Sequence, residues 1–109
     1  MRTVRAVGNR RSEGTSLRNL GNAYDQLGEF GKAIGFYEQA LVIAREVGNR
    51  RGEGTAFLDL AMAHEKLGDQ AKATPLAQAA LAIFEQIEDP NAAKVRQWLA
   101  ERQGRGLAG

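Results

Sequence analysis

The chain has 109 residues, 43% of them hydrophobic and 26% charged, enough for one compact unit with a core of its own. Its 15 basic and 13 acidic side chains are interleaved and leave a net charge of +2, a solvated surface rather than the electrostatic footprint of a nucleic-acid binder. The absence of cysteine excludes disulfide frameworks and thiolate zinc sites and fits a reducing compartment. No apolar run approaches the ~18 residues of a membrane span, and Met1–Val7 lacks the apolar stretch of a secretory signal. The expectation is a cytoplasmic protein without a membrane partner.

The elements repeat along the chain. Gly8–Val47 and Gly48–Ile87 align without a gap and agree at 16 of 40 positions. A third copy begins at Glu88-Asp89 and soon diverges. A fixed period of this size marks a stacked repeat architecture. Asn9, Asn49 and Asp89 recur at the period as N-cap residues, each at an expected chain reversal. Thr3–Val7 aligns with Ile43–Val47 and reads as the last turn of a helix whose start is absent. The first helix of each repeat is predicted over Arg10–Leu27 and Arg50–Leu67. Gly28 and Gly68 then stand where a left-handed C-terminal cap requires glycine.

The second helices are predicted over Phe30–Val47 and Gln70–Ile87. Ile34, Tyr37, Leu41 and Ala44 form a buried stripe at helical spacing, as do Leu76, Ala80, Ile83 and Ile87. Asp69 is a good cap, and Glu29 a poorer one. Thr74-Pro75 interrupts the second of these helices. Proline there removes a backbone hydrogen bond and crowds the preceding turn, so the helix either kinks or restarts at Pro75. A final helix, Pro90–Arg102, places Ala92, Val95, Trp98 and Leu99 on one side. Gly104–Gly109 reads as a frayed tail. The expected organisation is a single unit over residues 1–103, with repeats at 8–47 and 48–87, a partial capping helix at 88–103, and a flexible tail at 104–109.

Leu17-x-x-Leu20-Gly21-x-x-Tyr24 followed by Ala33-x-x-x-Tyr37-x-x-Ala40 resembles the tetratricopeptide repeat. The small residues Gly21, Ala33 and Ala40 let two helices approach while large ones fill the gaps. The second copy keeps Phe57, Leu60, Ala73 and Ala80 but has Ala61, His64 and Ala77 in place of the glycine, the tyrosine and the aromatic. The long period, Leu-Gly-Asn-Ala-Tyr and the linking Gly-Asn-Arg-Arg are similar to spindle-orientation scaffolds, kinesin light chains and bacterial repeat proteins of this family. The resemblance implies an all-α solenoid of about two and a half antiparallel hairpins, wound as a right-handed superhelix. It also implies a non-catalytic binding module that takes a peptide or helix of a partner in a concave groove.

By the same resemblance the first helices line that groove. They present Arg18, Asn22 and Asp25 (with Thr15) from the first repeat, Leu58, Met62 and Glu65 (with Thr55) from the second, and Trp98 and Arg102, with Val95, from the last helix. Arg18 and Asn22, one turn apart, match part of a carboxylate clamp, but Asp59 falls where an amide is wanted. Leu58 and Met62 are apolar on a face expected to be wet, which suits a ligand with an apolar stripe or a self-contact. Trp98 reads as a lid over the last core or as an exposed anchor. Arg10-Arg11 and Arg50-Arg51 begin helices, where the macrodipole disfavours cations. They read as partners of Glu13, Glu53 and Glu46, or as a basic ladder for an acidic partner. His64, the one histidine, replaces a packing tyrosine, and the Gly31–Gly35 pair reads as permitting close packing. No HExxH, phosphate loop or nucleophile elbow is present, so no catalytic residue, metal site or cofactor is expected. The alternative is a structural or regulatory piece of a larger protein, with homo-oligomers formed through open repeat ends around Val4, Val7, Trp98 and Leu99.

Overall fold

The computed structural model describes residues 2–108, with side chains placed over 8–103. Its elements are α1 (Arg2–Gln26), α2 (Phe30–Glu46), α3 (Arg50–Lys66), α4 (Gln70–Gln86) and α5 (Asn91–Ala108), with no strand among the described residues. Each helix packs on the next in sequence, giving a slab 57 × 32 × 18 Å.

All four reversals have one construction. At each turn a backbone amide one or two residues before the new helix reaches back to the carbonyl five residues earlier. The pairs are Glu29 to Tyr24, Asn49 to Ala44, Asp69 to His64 and Asp89 to Phe84, at 2.8–2.9 Å. This closure requires a left-handed residue, supplied by Gly28 (φ +80°), Gly48 (+70°) and Gly68 (+82°). At the fourth turn Glu88 holds φ +55° in glycine's place, a conformation that costs a side-chain-bearing residue roughly 1–2 kcal/mol. Asn49 then caps α3 by accepting from the Gly52 amide (3.0 Å), and Asp69 caps α4 by accepting from Lys72 (3.2 Å). Glu29 makes no side-chain cap.

The structure departs from the sequence expectation at both ends. Asn9 does not cap a helix: α1 runs unbroken from Arg2 through Gly8 and Asn9, overhanging α2 by two turns. Asn49 caps a helix that folds back on α2, whereas no described helix precedes α1 for it to fold against. Val4 and Val7 lie outside the described side chains. At the other end α5 continues through 104–108, and the side chains of 104–109 lie outside the described residues. Pro75 does not restart its helix. It sits on the exposed side of a continuous α4, and Ala71, whose carbonyl loses its partner, is exposed too and open to water.

Two clusters form the core. Ala33, Tyr37 and Leu41 of α2 meet Ala56, Leu60 and Ala63 of α3. Ala61 of α3 and Ala77, Ala80 and Phe84 of α4 meet Ala92 and Val95 of α5. Gly21 is a packing glycine: a Cβ there would stand 2.6 Å from the ring of Tyr37. Gly31 and Gly35 are not, since nothing approaches within 4 Å of where their Cβ atoms would lie. Ile87, expected in the stripe of α4, lies at the helix end and is 36% exposed.

Candidate functional site

The odd-numbered helices share one face, and charged residues dominate its first half. They are not free. Arg18 of α1 donates through Nε to Asp59 of α3 at 2.7 Å, and Lys66 of α3 donates to Asp25 of α1 at 2.6 Å. Farther along, Arg102 of α5 donates to Glu65 of α3 at 2.8 Å. Three cross-links therefore tie α1 to α3 to α5. Asp59 is mostly buried, and desolvation raises its pKa despite the opposing pull of Arg18.

Asn22 and Asp25 also serve the interior. The Tyr37 hydroxyl donates to Asn22 Oδ1 at 2.7 Å and, more loosely, lies 3.5 Å from Asp25 Oδ2. Burial pushes the Tyr37 phenol well above its ordinary pKa, with the Asp59 and Asp25 charges adding to the effect. Arg18 and Asn22 are thus both engaged within the chain, and Asp59, the residue out of place for a carboxylate clamp, is the reason Arg18 has a partner.

The second half of the face is different. Between α3 and α5 lies a cavity of about 330 Å³ lined by Leu58, Met62, Trp98, Lys94 and Gln97, with Val95 at its floor. Met62 is 39% exposed, while Leu58 and Trp98 are half-buried against the second core cluster. Trp98 is both a lid on that core and a wall of the cavity. The Arg102 guanidinium stacks 4.0 Å from the centre of its ring and donates to its carbonyl at 3.1 Å, which holds the indole in place. Val95, expected on the groove face, is instead fully buried. The burial pattern of α5 is displaced by one residue from that of α3. Val95 and Leu99 occupy the places of Ala56 and Leu60, and the 40-residue alignment does not carry over.

Of the two arginine pairs, Arg10-Arg11 lies inside α1 and Arg50-Arg51 begins α3, and Arg10, Arg50 and Arg51 are held by acids. Arg10 binds Glu13 (2.7 Å) and Glu46, Arg50 binds Glu53 (2.9 Å) and the Gln86 side chain, and Arg51 binds Asp89 (2.9 Å). His64 is half-buried and leaves a buried Nδ1 without a hydrogen bond. Among the described residues no group of acidic, histidine or cysteine side chains is arranged to hold a metal. No helix there is long and apolar enough to cross a membrane.

The tetratricopeptide repeat family model matches residues 12–86. This span holds the helical hairpins from the middle of α1 to the end of α4 and the turns between them. The chain belongs to the tetratricopeptide repeat family. Repeats of this family generally mediate protein–protein interactions and are not enzymes. A search of curated proteins found no match. Within this tetratricopeptide repeat chain, Lys94, Gln97 and Glu101 also line the cavity and were not anticipated from sequence, because the displaced register of α5 has no template in the earlier copies. The charge cross-links did have a signal. Arg18 and Asp59, and Asp25 and Lys66, are complementary charges 41 positions apart, one residue off the period.

Proposed function

We propose that this chain is a non-catalytic scaffold or adaptor module that binds a peptide or helix of a partner protein in the concave face formed by α1, α3 and α5. The observation that carries this reading is the cavity between Leu58, Met62 and Trp98. It is mostly apolar, it lies on a face where Arg18, Asp25, Asp59, Glu65, Lys66 and Arg102 are paired among themselves, and Arg102 holds its Trp98 wall in place before any ligand arrives. A ligand side chain entering it meets groups already ordered, so the flexible partner bears the entropy of binding. Arg18, Asn22, Asp25, Glu65 and Arg102 set the shape of the groove, and Leu58, Met62 and Trp98 make the contact. The partner is protein rather than nucleic acid or membrane, the compartment is cytoplasmic, and residues 1–103 act as one unit, with the last turns of α5 as a tail beyond it.

Trp98 is the only tryptophan, so its fluorescence reports on the cavity directly. The test is a display selection of peptides on the immobilised chain, followed by titration read at Trp98. Peptides with a bulky apolar residue are expected to be enriched. Leu58→Lys is expected to weaken them roughly 10- to 100-fold, the equivalent of one buried apolar side chain, with helical circular dichroism unchanged. Selected peptides that bind the Leu58→Lys chain equally well would refute the groove.

A further inference from the structure

The same residues have opposite fates in the two repeats. Ala56, Leu60 and Ala63 on α3 are 1%, 3% and 0% exposed because α2 covers them. Their equivalents on α1 are Ser16, Leu20 and Ala23, all exposed, with Leu20 at 46%. No described helix lies on this side of α1. Leu27 continues the line, 71% exposed against 54% for its counterpart Leu67. The opposite end of the slab carries no such stripe: there α5 turns outward Ala93, Arg96, Gln97 and Ala100, of which Arg96 is held by Glu85 at 2.8 Å.

We infer that this face of α1 pairs with the same face of a second copy of the chain, antiparallel and about a twofold axis. Its charges argue for that occupant. When α3 receives the hairpin before it, Asp59 and Lys66 bind Arg18 and Asp25 of the preceding first helix. At the matching positions α1 carries Asn19 and Gln26. It has given up the two charges with which a first helix grips an upstream repeat, and the face from Ser16 to Leu27 that these amides flank bears no formal charge. A twofold axis brings each surface against itself, so a neutral face avoids the like-charge contacts that a charged one would create.

The spacing argues for it as well. Ser16, Leu20, Ala23 and Leu27 are separated by four, three and four residues, the seam of a paired coil, with small and large residues alternating. Run antiparallel about a point between Leu20 and Ala23, each leucine meets a small residue of the other copy. Leu20 faces Ala23 and Leu27 faces Ser16, the large-into-small fit of close helix packing.

Light scattering on a size-exclusion column, over about a hundredfold range of concentration, tests this. The expected result is a mass rising to twice 11.8 kDa and falling back to the monomer for Leu20→Glu. Helicity is retained in that variant because the site is exposed in the single chain. The chain has no cysteine, so a Leu20→Cys/Ala23→Cys double variant is expected to cross-link into a covalent dimer on oxidation, while a Leu20→Cys/Leu27→Cys control, whose thiols do not face each other, cross-links far less. A monomer at every concentration overturns the inference. So does a dimer indifferent to Leu20→Glu but dissolved by Leu58→Lys, which would place self-association in the groove. Peptide binding at Trp98 in the Leu20→Glu monomer is expected to be unchanged, so the two surfaces succeed or fail separately.

Discussion

Gly21 and Tyr37 in the first repeat become Ala61 and Ala77 in the second, and this exchange makes a quantitative test of how the hairpins pack. A Cβ on Gly21 would lie 2.6 and 2.7 Å from two ring carbons of Tyr37, which is itself 1% exposed and cannot swing away. Gly21→Ala therefore gains about 1 kcal/mol of helix propensity and loses about 1–3 kcal/mol to overpacking, a net destabilisation of up to about 2 kcal/mol. Tyr37→Ala removes the ring and costs about 3–5 kcal/mol, including the hydroxyl bond to Asn22. With the ring gone, the methyl of Gly21→Ala has free space and only the propensity term remains. In that background Gly21→Ala should stabilise by up to ~1 kcal/mol, a coupling of about 1–3 kcal/mol between the two sites. Urea denaturation followed by circular dichroism measures all four corners, with an osmolyte added to every sample to keep the Tyr37→Ala chain folded. Equal costs for Gly21→Ala in both backgrounds would refute the steric reading and place its effect in the helix alone.

Glu88→Gly relieves the one left-handed non-glycine turn among the described residues and should stabilise by about 1 kcal/mol, a Tm increase of roughly 4 °C in thermal denaturation; no change would mean that the turn is not strained. Ala44 stands where the second repeat has Phe84, and beside it lies a crevice of about 70 Å³ between α1, α2 and α3. Ala44→Leu should fill part of it and raise the midpoint of urea unfolding by an amount equivalent to about 1 kcal/mol, whereas a lowered midpoint would show that Arg11 and Thr15 cannot move aside. Asp59 has a raised folded-state pKa, mainly from burial, so the folded chain takes up its proton before the unfolded chain does. Its contribution is least favourable above the folded pKa and improves as pH falls towards the ordinary carboxylate value. The stability of the wild type relative to Asp59→Asn should therefore rise on acidification, and a difference flat in pH would contradict the burial of this carboxylate.

The middle of the fold was legible in the sequence because its signals are local and repeated. Helical periodicity, the glycines at Gly28 and Gly68, and the caps at Asn49 and Asp69 place α2, α3 and α4 to within a residue. The ends were not legible, because the same letters need a neighbour to mean the same thing. Gly8-Asn9 is spelled like Gly48-Asn49, but a cap forms only where the chain has a surface to turn back onto. Pro75 was ambiguous because its cost depends on whether water reaches the Ala71 carbonyl, which composition does not record. At the candidate site, Leu58 and Met62 stood out as apolar residues on a face expected to be wet and Trp98 as a lid or anchor, and all three line the cavity. Val95 was misplaced by the one-residue displacement of α5. Arg18 and Asp25 looked free because their partners lie 41 positions away in the chain, beyond the reach of any single-helix pattern.

Each helix touches mainly its neighbours in the chain, so there is no central core whose loss would bring down the whole. Such a molecule comes apart as a zip does, from a free end inward. Amides of α5 should exchange with solvent sooner than those buried in α3, and a ligand seated at Trp98 would be felt first as a slowing of that local opening. The proposed cavity lies between α3 and α5, so its walls stand only while α5 stays docked on the rest of the slab.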